Sequence, residues 1–317
     1  MSAVAPRLGP APTAAFRPEG TERASAKINL ALHVTGRRED GYHLLDSLVA
    51  FAEIGDTVAA RPCEADGLTL AGRFAGDVPA GEENILLQAL RLARPLLANR
   101  GIALGPLALH LDKRLPVASG IGGGSADAAA LLRFLAAGDA GLRAALTESA
   151  LALGADVPMC LTEQPCRIGG IGETIEPLAA FPAIALVLVN PGLPVSTPAV
   201  FRALVRRDNP PLPPLPPEGF REAEALVAYL GGSRNDLEAP ALTLAPPIGA
   251  ARQALEREGA LFSRMSGSGA TVFGLFASAA HAERAARIIL GEEPGWWVEA
   301  STLRPAAGLD ATGMGPS

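Results

Sequence analysis

The chain has 317 residues, enough for one large domain or two ordinary ones. It is 49% hydrophobic and 19% charged, which excludes a disordered chain and implies a substantial core. A net charge of −6 gives no general attraction to nucleic acid or an anionic membrane, so an anionic ligand must be held by local donors.

Residues 2–21 are rich in Ala and Pro and read as a disordered extension, as does the Gly/Pro-rich end over 305–317. The first element is a strand over 26–34 with a period of two. Ile28, Leu30, Leu32 and Val34 share one face. Lys27, Asn29, Ala31 and His33 share the other, a polar edge that can line a site. A charged loop over 36–42 follows, then strands near 44–52 and 68–70. The spacing of Ile85, Ala89, Leu92 and Leu96 predicts a helix over 84–97, and 107–111 predicts a strand. Residues 140–153 predict a helix ended by Gly154.

The apolar run 184–189 predicts a buried strand, and helices are expected over 197–205, 223–229 and 248–258. A proline cluster at 210–217 reads as a loop of polyproline II character. Strands over 260–266 and 271–276 flank Gly267-Ser268-Gly269, and a helix over 281–290 precedes a strand over 297–303. This second half predicts a compact α+β unit beginning near Ala180. No run is long enough to span a bilayer. Cys63, Cys160 and Cys166 have neither an even count nor metal-ligand spacing, as expected in a reducing cytoplasm. His33, His110 and His281 do not cluster and read as structural or surface residues, so no metal site is expected from the protein itself.

The segment 115–132, LPVASGIGGGSADAAALL, carries the most chemistry. Its glycines remove the Cβ atoms that keep a bulky ligand from the backbone and permit positive φ. Ala128, Leu131, Leu132 and Leu135 then predict a helix beginning near Ser125. Free N–H groups and the positive dipole end at such a helix start suit a phosphate. A plain connector is the alternative for an isolated glycine turn. A P-loop requires Lys and Ser or Thr after the last glycine, which Gly124 lacks. The dinucleotide pattern is met in part by Gly120 and Gly122, but Ser125 stands where its third glycine belongs. The glycine loop of the small-metabolite kinases, Pro-x-x-x-Gly-Leu-Gly-Ser-Ser-Ala, is matched by Pro116, Gly120, Ile121, Gly122 and the Gly-Gly-Ser-Ala that follows.

Four further islands sharpen that choice: Ala26-Lys27-Ile28-Asn29-Leu30, Asp40-Gly41-Tyr42-His43, Gly154-Ala155-Asp156-Val157-Pro158 and Ser266-Gly267-Ser268-Gly269-Ala270-Thr271. Asn235-Asp236-Leu237-Glu238 adds a short fifth. Together they resemble the galacto/homoserine/mevalonate/phosphomevalonate (GHMP) kinase superfamily, and within it the 4-diphosphocytidyl-2-C-methyl-D-erythritol kinase family. The resemblance runs from about residue 25 to 303. It implies an α+β, two-domain GHMP-kinase-like fold. A ribosomal-protein-S5-like ATP domain would span 25–178 and a ferredoxin-like α/β-plait domain 179–304, with 1–24 as an extension and 305–317 as a tail.

The resemblance further implies transfer of the ATP γ-phosphate to a tertiary hydroxyl, the 2-hydroxyl of the cytidylylated methylerythritol, in the non-mevalonate route to isoprenoid precursors. Asp156 would accept the hydroxyl proton, and Lys27 would keep Asp156 ionised and stabilise the moving phosphoryl group. Pro116, Val117, Ala118, Ser119, Gly120, Ile121, Gly122, Gly123, Gly124, Ser125 and Ala126 would bind ATP. Tyr42, His43 and Phe201 would take the cytidine, two rings sandwiching the pyrimidine and the histidine bonding its edge. Asn29 and Thr197 would contact the methylerythritol or its diphosphate. Mg²⁺ would arrive with the nucleotide, mostly hydrated. Ala126 and Asp127 stand where many relatives have Ser-Asn. The first removes a hydroxyl, and the second either points away from the phosphates or helps hold the metal through water. The expected partner is a small molecule, the expected location cytoplasmic, the expected state a monomer or weak homodimer.

Read from the residues alone, Asp156 could be a turn aspartate bonding its own backbone, and Lys27 an edge-strand lysine. A GHMP kinase for homoserine or a mevalonate derivative is a second reading. A dinucleotide oxidoreductase with Asp139 on the ribose is a third. A binding module without catalysis is a fourth, and it requires Asp156 or Lys27 to lie outside the cleft.

Overall fold

A computed structural model of the chain describes Phe16 and residues 18–306; the rest of the expected extension and tail lies outside the described residues. The spine is an antiparallel pair, β1 (Gly20–Arg37) and β2 (His43–Pro62). β1 therefore begins inside the segment expected as an extension, and residues 20–24 pair along β2. The expected alternation along β1 holds only at first. The register slips between Asn29 and Ala31, so that Ala31 packs with Ile28 and Leu30 in one core cluster while Leu32 and Val34 enter another. A bulge of this kind turns the strand by one residue and exchanges its faces.

The other edge of β2 is shared. Its first half pairs with β5 (Cys166–Gly170), which also pairs with β6 (Thr174–Pro177). Its second half pairs with β4 (Leu107–Asp112), beside the parallel β3 (Gly67–Ala71). Helices α1 (Ile85–Ala98), α2 (Gly123–Ala136), α3 (Ala140–Ser149) and α4 (Val157–Thr162) cover this sheet. Their Leu and Ala side chains, among them Leu90, Leu131 and Leu146, form one buried cluster with Val49, Phe51 and Leu109. The side chain of Asn84 caps α1, accepting from the Leu86 N–H at 2.9 Å.

The second sheet runs β10–β7–β9–β8, built from β7 (Ile184–Asn190), β8 (Phe262–Met265), β9 (Val272–Phe276) and β10 (Trp297–Leu303), every pair antiparallel. In chain order these are strands one to four, so the spatial order is 4-1-3-2, the ferredoxin-like plait. Between β7 and β8 lie α5 (Thr197–Arg202), α6 (Ala223–Gly231), α7 (Glu238–Leu244) and α8 (Pro247–Arg257), and α9 (Ala279–Glu292) joins β9 to β10. The two sheets meet at one rung, Leu303 against Ala52, between the halves of β2. No helix among the described residues is long and apolar enough to cross a membrane.

Several elements differ from expectation. α2 begins at Gly123 rather than Ser125, α5 stops at Arg202, and residues 150–152 of the expected third helix tighten into a 3₁₀ turn. The short elements α4, β5, β6 and α7 had no periodic signal long enough to read. His33 is fully buried: its Nε2 accepts from the Arg234 N–H at 3.0 Å, so Nδ1 carries the proton donated to the Pro210 carbonyl.

Candidate active site

β4 delivers the chain to the glycine loop, and the loop closes against the turn between β8 and β9. Gly120 has φ +79°, and a Cβ there would lie 2.4 Å from the Ser266 carbonyl oxygen. Gly267, at φ +55°, would bring its Cβ within 2.8 Å of the Gly120 carbonyl oxygen. Backbone meets backbone, so neither position admits a side chain. Ser266 fixes the contact by donating to Gly120 O at 2.9 Å while accepting from the Asn29 N–H at 3.0 Å. The Thr271 N–H donates to Ser119 O at 3.1 Å.

Gly122 caps α2 in the left-handed region, and the first helical bond runs from Ala126 N–H to Gly122 O. The amides of Gly123, Gly124 and Ser125 therefore have no intrahelical acceptor. They border a cleft of about 1030 Å³. Of the loop residues expected to bind ATP, Val117, Ala118, Ser119, Gly120, Gly122, Gly123, Gly124 and Ser125 line this cleft. Pro116, Ile121 and Ala126 do not: all three are buried, Ile121 and Ala126 in core clusters.

Lys27 and Asp156 meet in the same cleft, Nζ to Oδ2 at 3.0 Å. The lysine side chain is 6% exposed and the carboxylate 39%, so one end is fixed and the other faces the cleft. Asp156 occupies the cap position of α4 but makes no capping bond, against the reading as a turn aspartate. Lys27 also donates to Asn29 Oδ1 at 2.9 Å, and Asn29 Nδ2 donates to Ser47 Oγ at 2.8 Å. The Lys27 N–H donates to Ile121 O at 3.0 Å, tying the cation to the loop. With both groups in the cleft, the reading as a module without catalysis loses its condition.

At the far end, Tyr42, His43, Thr197 and Phe201 line the cleft. His43 and Phe201 stack on each other, centroids 4.6 Å apart and planes 27° off parallel, which leaves no slot for a base between those two rings. Tyr42 is 61% exposed and free to supply another face. Burial, then the charges of Arg37 and Arg207, push the His43 imidazole below its ordinary value. Its buried Nε2 has no protein partner. Thr197 Oγ1 and Ser268 Oγ are 2.7 Å apart. Arg37, Arg202 and Arg207 also line the cleft, unnoticed in the sequence because loop arginines carry no pattern.

Asp127 points away from the loop. It is buried, and its Oδ2 accepts from Lys113 Nζ at 2.7 Å. Lys113 also donates to Asp56 Oδ2 at 2.6 Å. Burial raises the Asp127 carboxyl to about 7 against the pull of Lys113, with Asp56 raising it further. Burial opposes the Lys113 charge, yet the two aspartates raise it above its ordinary value. Asp127 is thus unavailable to a metal. Asp139, the ribose partner of the oxidoreductase reading, instead caps α3 through the Leu142 N–H at 2.9 Å.

This fold and site define a GHMP kinase. The family model for the GHMP kinase N-terminal domain matches residues 84–164, and that for the C-terminal domain matches residues 218–293. The chain is 54% identical over 286 residues to a 4-diphosphocytidyl-2-C-methyl-D-erythritol kinase of Paracoccus denitrificans (strain Pd 1222), covering 90% of this chain and 97% of the relative. It is 52% identical over 305 residues to one of Sinorhizobium medicae (strain WSM419), covering 92% and 100%. A solved 4-(cytidine 5'-diphospho)-2C-methyl-D-erythritol kinase superposes with a TM-score of 0.72 at 36% identity, covering 90% of this chain and 99% of that one. A homoserine kinase from Cytophaga hutchinsonii, 18% identical at a TM-score of 0.63 over 92% of this chain and 98% of its own, shares the fold. The chain belongs to the 4-diphosphocytidyl-2-C-methyl-D-erythritol kinase family.

Proposed function

We propose that this enzyme transfers the γ-phosphate of ATP to the 2-hydroxyl of 4-diphosphocytidyl-2-C-methyl-D-erythritol, a step of the non-mevalonate route to isoprenoid precursors. The observation that carries the reading is the Lys27–Asp156 ion pair, set in one cleft between the free amides of α2 and the His43–Phe201 stack. Gly123, Gly124 and Ser125 hold the triphosphate through backbone N–H groups at the positive end of α2. Asp156 accepts the proton of the acceptor hydroxyl as its oxygen bonds to the γ-phosphorus, while the bond to the β-phosphate oxygen breaks and ADP leaves. Lys27, held by Asn29, faces the negative charge that spreads over the transferring oxygens.

The residues at the loop suit Mg²⁺ carried by the nucleotide: Ser125 offers a hydroxyl, Asp127 is committed to Lys113, and Ala126 faces the core. When bound, the ion neutralises charge on the phosphates. At the acceptor end, Tyr42 and Phe201 offer ring faces, and neutral His43 offers a ring nitrogen to the cytosine edge. Thr197 and Asn29 orient the methylerythritol.

A coupled ADP-release assay with the cytidylylated acceptor, homoserine and mevalonate in parallel tests the reading. Turnover with the first alone is expected. A preference for either of the others would overturn the substrate assignment.

A further inference from the structure

Beneath the glycine loop lies a charged triad that the reaction itself does not use. We propose that Lys113, Asp56 and Asp127 form a clasp that joins the two ends of the nucleotide loop, which makes Lys113 and Asp127 positioning residues for ATP. The proposal rests on the reading of this loop as the nucleotide site.

Lys113 stands immediately after β4, where the chain enters the loop, and Asp127 lies in the first turns of α2, where it leaves. The Nζ–Oδ2 bond of 2.7 Å therefore closes the loop over its whole length. Asp56, from β2, holds the entry side. Its Oδ2 accepts from Lys113 Nζ at 2.6 Å, and its Oδ1 accepts from the backbone N–H groups of Arg114 at 2.6 Å and Leu115 at 2.8 Å. All three side chains are at most 3% exposed.

The triad also sits directly under the phosphate end of α2. A Cβ on Gly123 would lie 3.0 Å from Lys113 Nζ and 3.7 Å from Asp56 Oδ2. The first helical residue at the cleft thus rests on the clasp, and any shift of the ammonium moves the amides that face the phosphates. Stability alone is a poor account of the arrangement. Three buried ionisable groups are costly to desolvate, an apolar trio of similar volume is often no less stable, and Asp127 Oδ1 has no partner. Fixing one arrangement of a loop is the role such groups serve best.

The test compares Asp127→Ala, which opens the clasp, with Asp127→Asn, which keeps length and an acceptor oxygen. Asp127→Ala is expected to raise KM for ATP tenfold or more while KM for the acceptor stays within twofold, and Asp127→Asn is expected to restore most of the lost affinity. An unchanged KM for ATP in Asp127→Ala, or equal rises in both KM values, would overturn the clasp. Hydrogen exchange on the unaltered full chain keeps the question open to test should the variant misfold. The amides of Arg114 and Leu115 are expected to exchange as slowly as those of β4 without nucleotide. Fast exchange that slows tenfold or more on adding ADP would show that the nucleotide, and not the clasp, orders the loop. An unaltered enzyme that releases no ADP with the cytidylylated acceptor would sink the functional reading instead, and the ligand-free exchange measurement stands apart from it.

Discussion

Lys27 and Asp156 differ in exposure, and under the proposed mechanism that difference divides their work. The buried ammonium contacts Asp156 and Asn29, the Lys27 backbone N–H ties the residue to the loop, and the carboxylate keeps one side open to the cleft. Asp156→Asn keeps the shape and removes the proton acceptor. Its kcat is expected to fall about 10²–10⁴-fold with KM for ATP within a few-fold, read by steady-state kinetics. Near-normal turnover would rule out Asp156 as the base. Asp127 makes a different prediction, for stability. Its folded carboxyl is raised to about 7 in a site faced by Lys113 and Asp56, so the native state binds a proton that the unfolded chain releases at lower pH. Its contribution is whole below the ordinary carboxylate range and is lost as pH rises through about 7. Asp127→Asn should therefore raise Tm relative to the parent at pH 8 and raise it less at pH 5, measured by thermal denaturation. A larger gain at pH 5 would contradict the sign.

Among the elements, the glycine loop separates what the fold needs from what the ligand needs. Gly120 is fixed by contact: a Cβ would strike the Ser266 carbonyl and the Gly269 backbone, at a φ of +79°. Gly120→Ala is expected to cost about 1–3 kcal/mol in urea unfolding. Gly124 is a helical residue with nothing within 4 Å of its Cβ position, so the fold alone permits alanine. Gly124→Ala should leave stability unchanged or raised by up to about 1 kcal/mol, while KM for ATP rises tenfold or more because the methyl group enters the cleft beside the phosphates. A variant with an unchanged KM would place the phosphates elsewhere. The loop was legible because glycines and helical spacing are local signals. The face exchange in β1 was not, since a bulge is set by the partner strand. Nor was the direction of Asp127, whose partner Lys113 is 14 residues away and whose other neighbour, Asp56, lies 57 residues before that lysine. The family pattern grouped the aromatic residues at 42, 43 and 201, and the structure sets all three along one cleft. Their mutual stacking depends on how the two sheets face each other.

Across the whole molecule, the two halves are joined by one sheet rung, by the Ser266 and Thr271 contacts to the first half, and by the polar segment 234–236. Leu32 N–H donates to Arg234 O at 2.9 Å, Asp236 N–H to Leu32 O at 2.8 Å, and Val34 N–H to Asp236 Oδ2 at 2.7 Å. Asn235 reaches the other way: its Nδ2 donates to both Met265 O and Gly267 O at 2.8 Å. Three consecutive residues thus tie β1, which carries Lys27, to the turn that packs on Gly120: Arg234 and Asp236 bond β1, and Asn235 bonds the turn. Its side chain is buried, so truncation leaves two carbonyls without a donor. Asn235→Ala should cost about 1–3 kcal/mol and lower Tm by a few °C in a single transition. Because the segment holds β1 and the turn on Gly120 together, both KM values should rise together, unlike the ATP-selective loss expected on opening the clasp. A variant with lowered Tm and unaltered KM values would show that the halves keep their spacing without Asn235, and that the shared sheet rung and the Ser266 contacts suffice to hold the cleft.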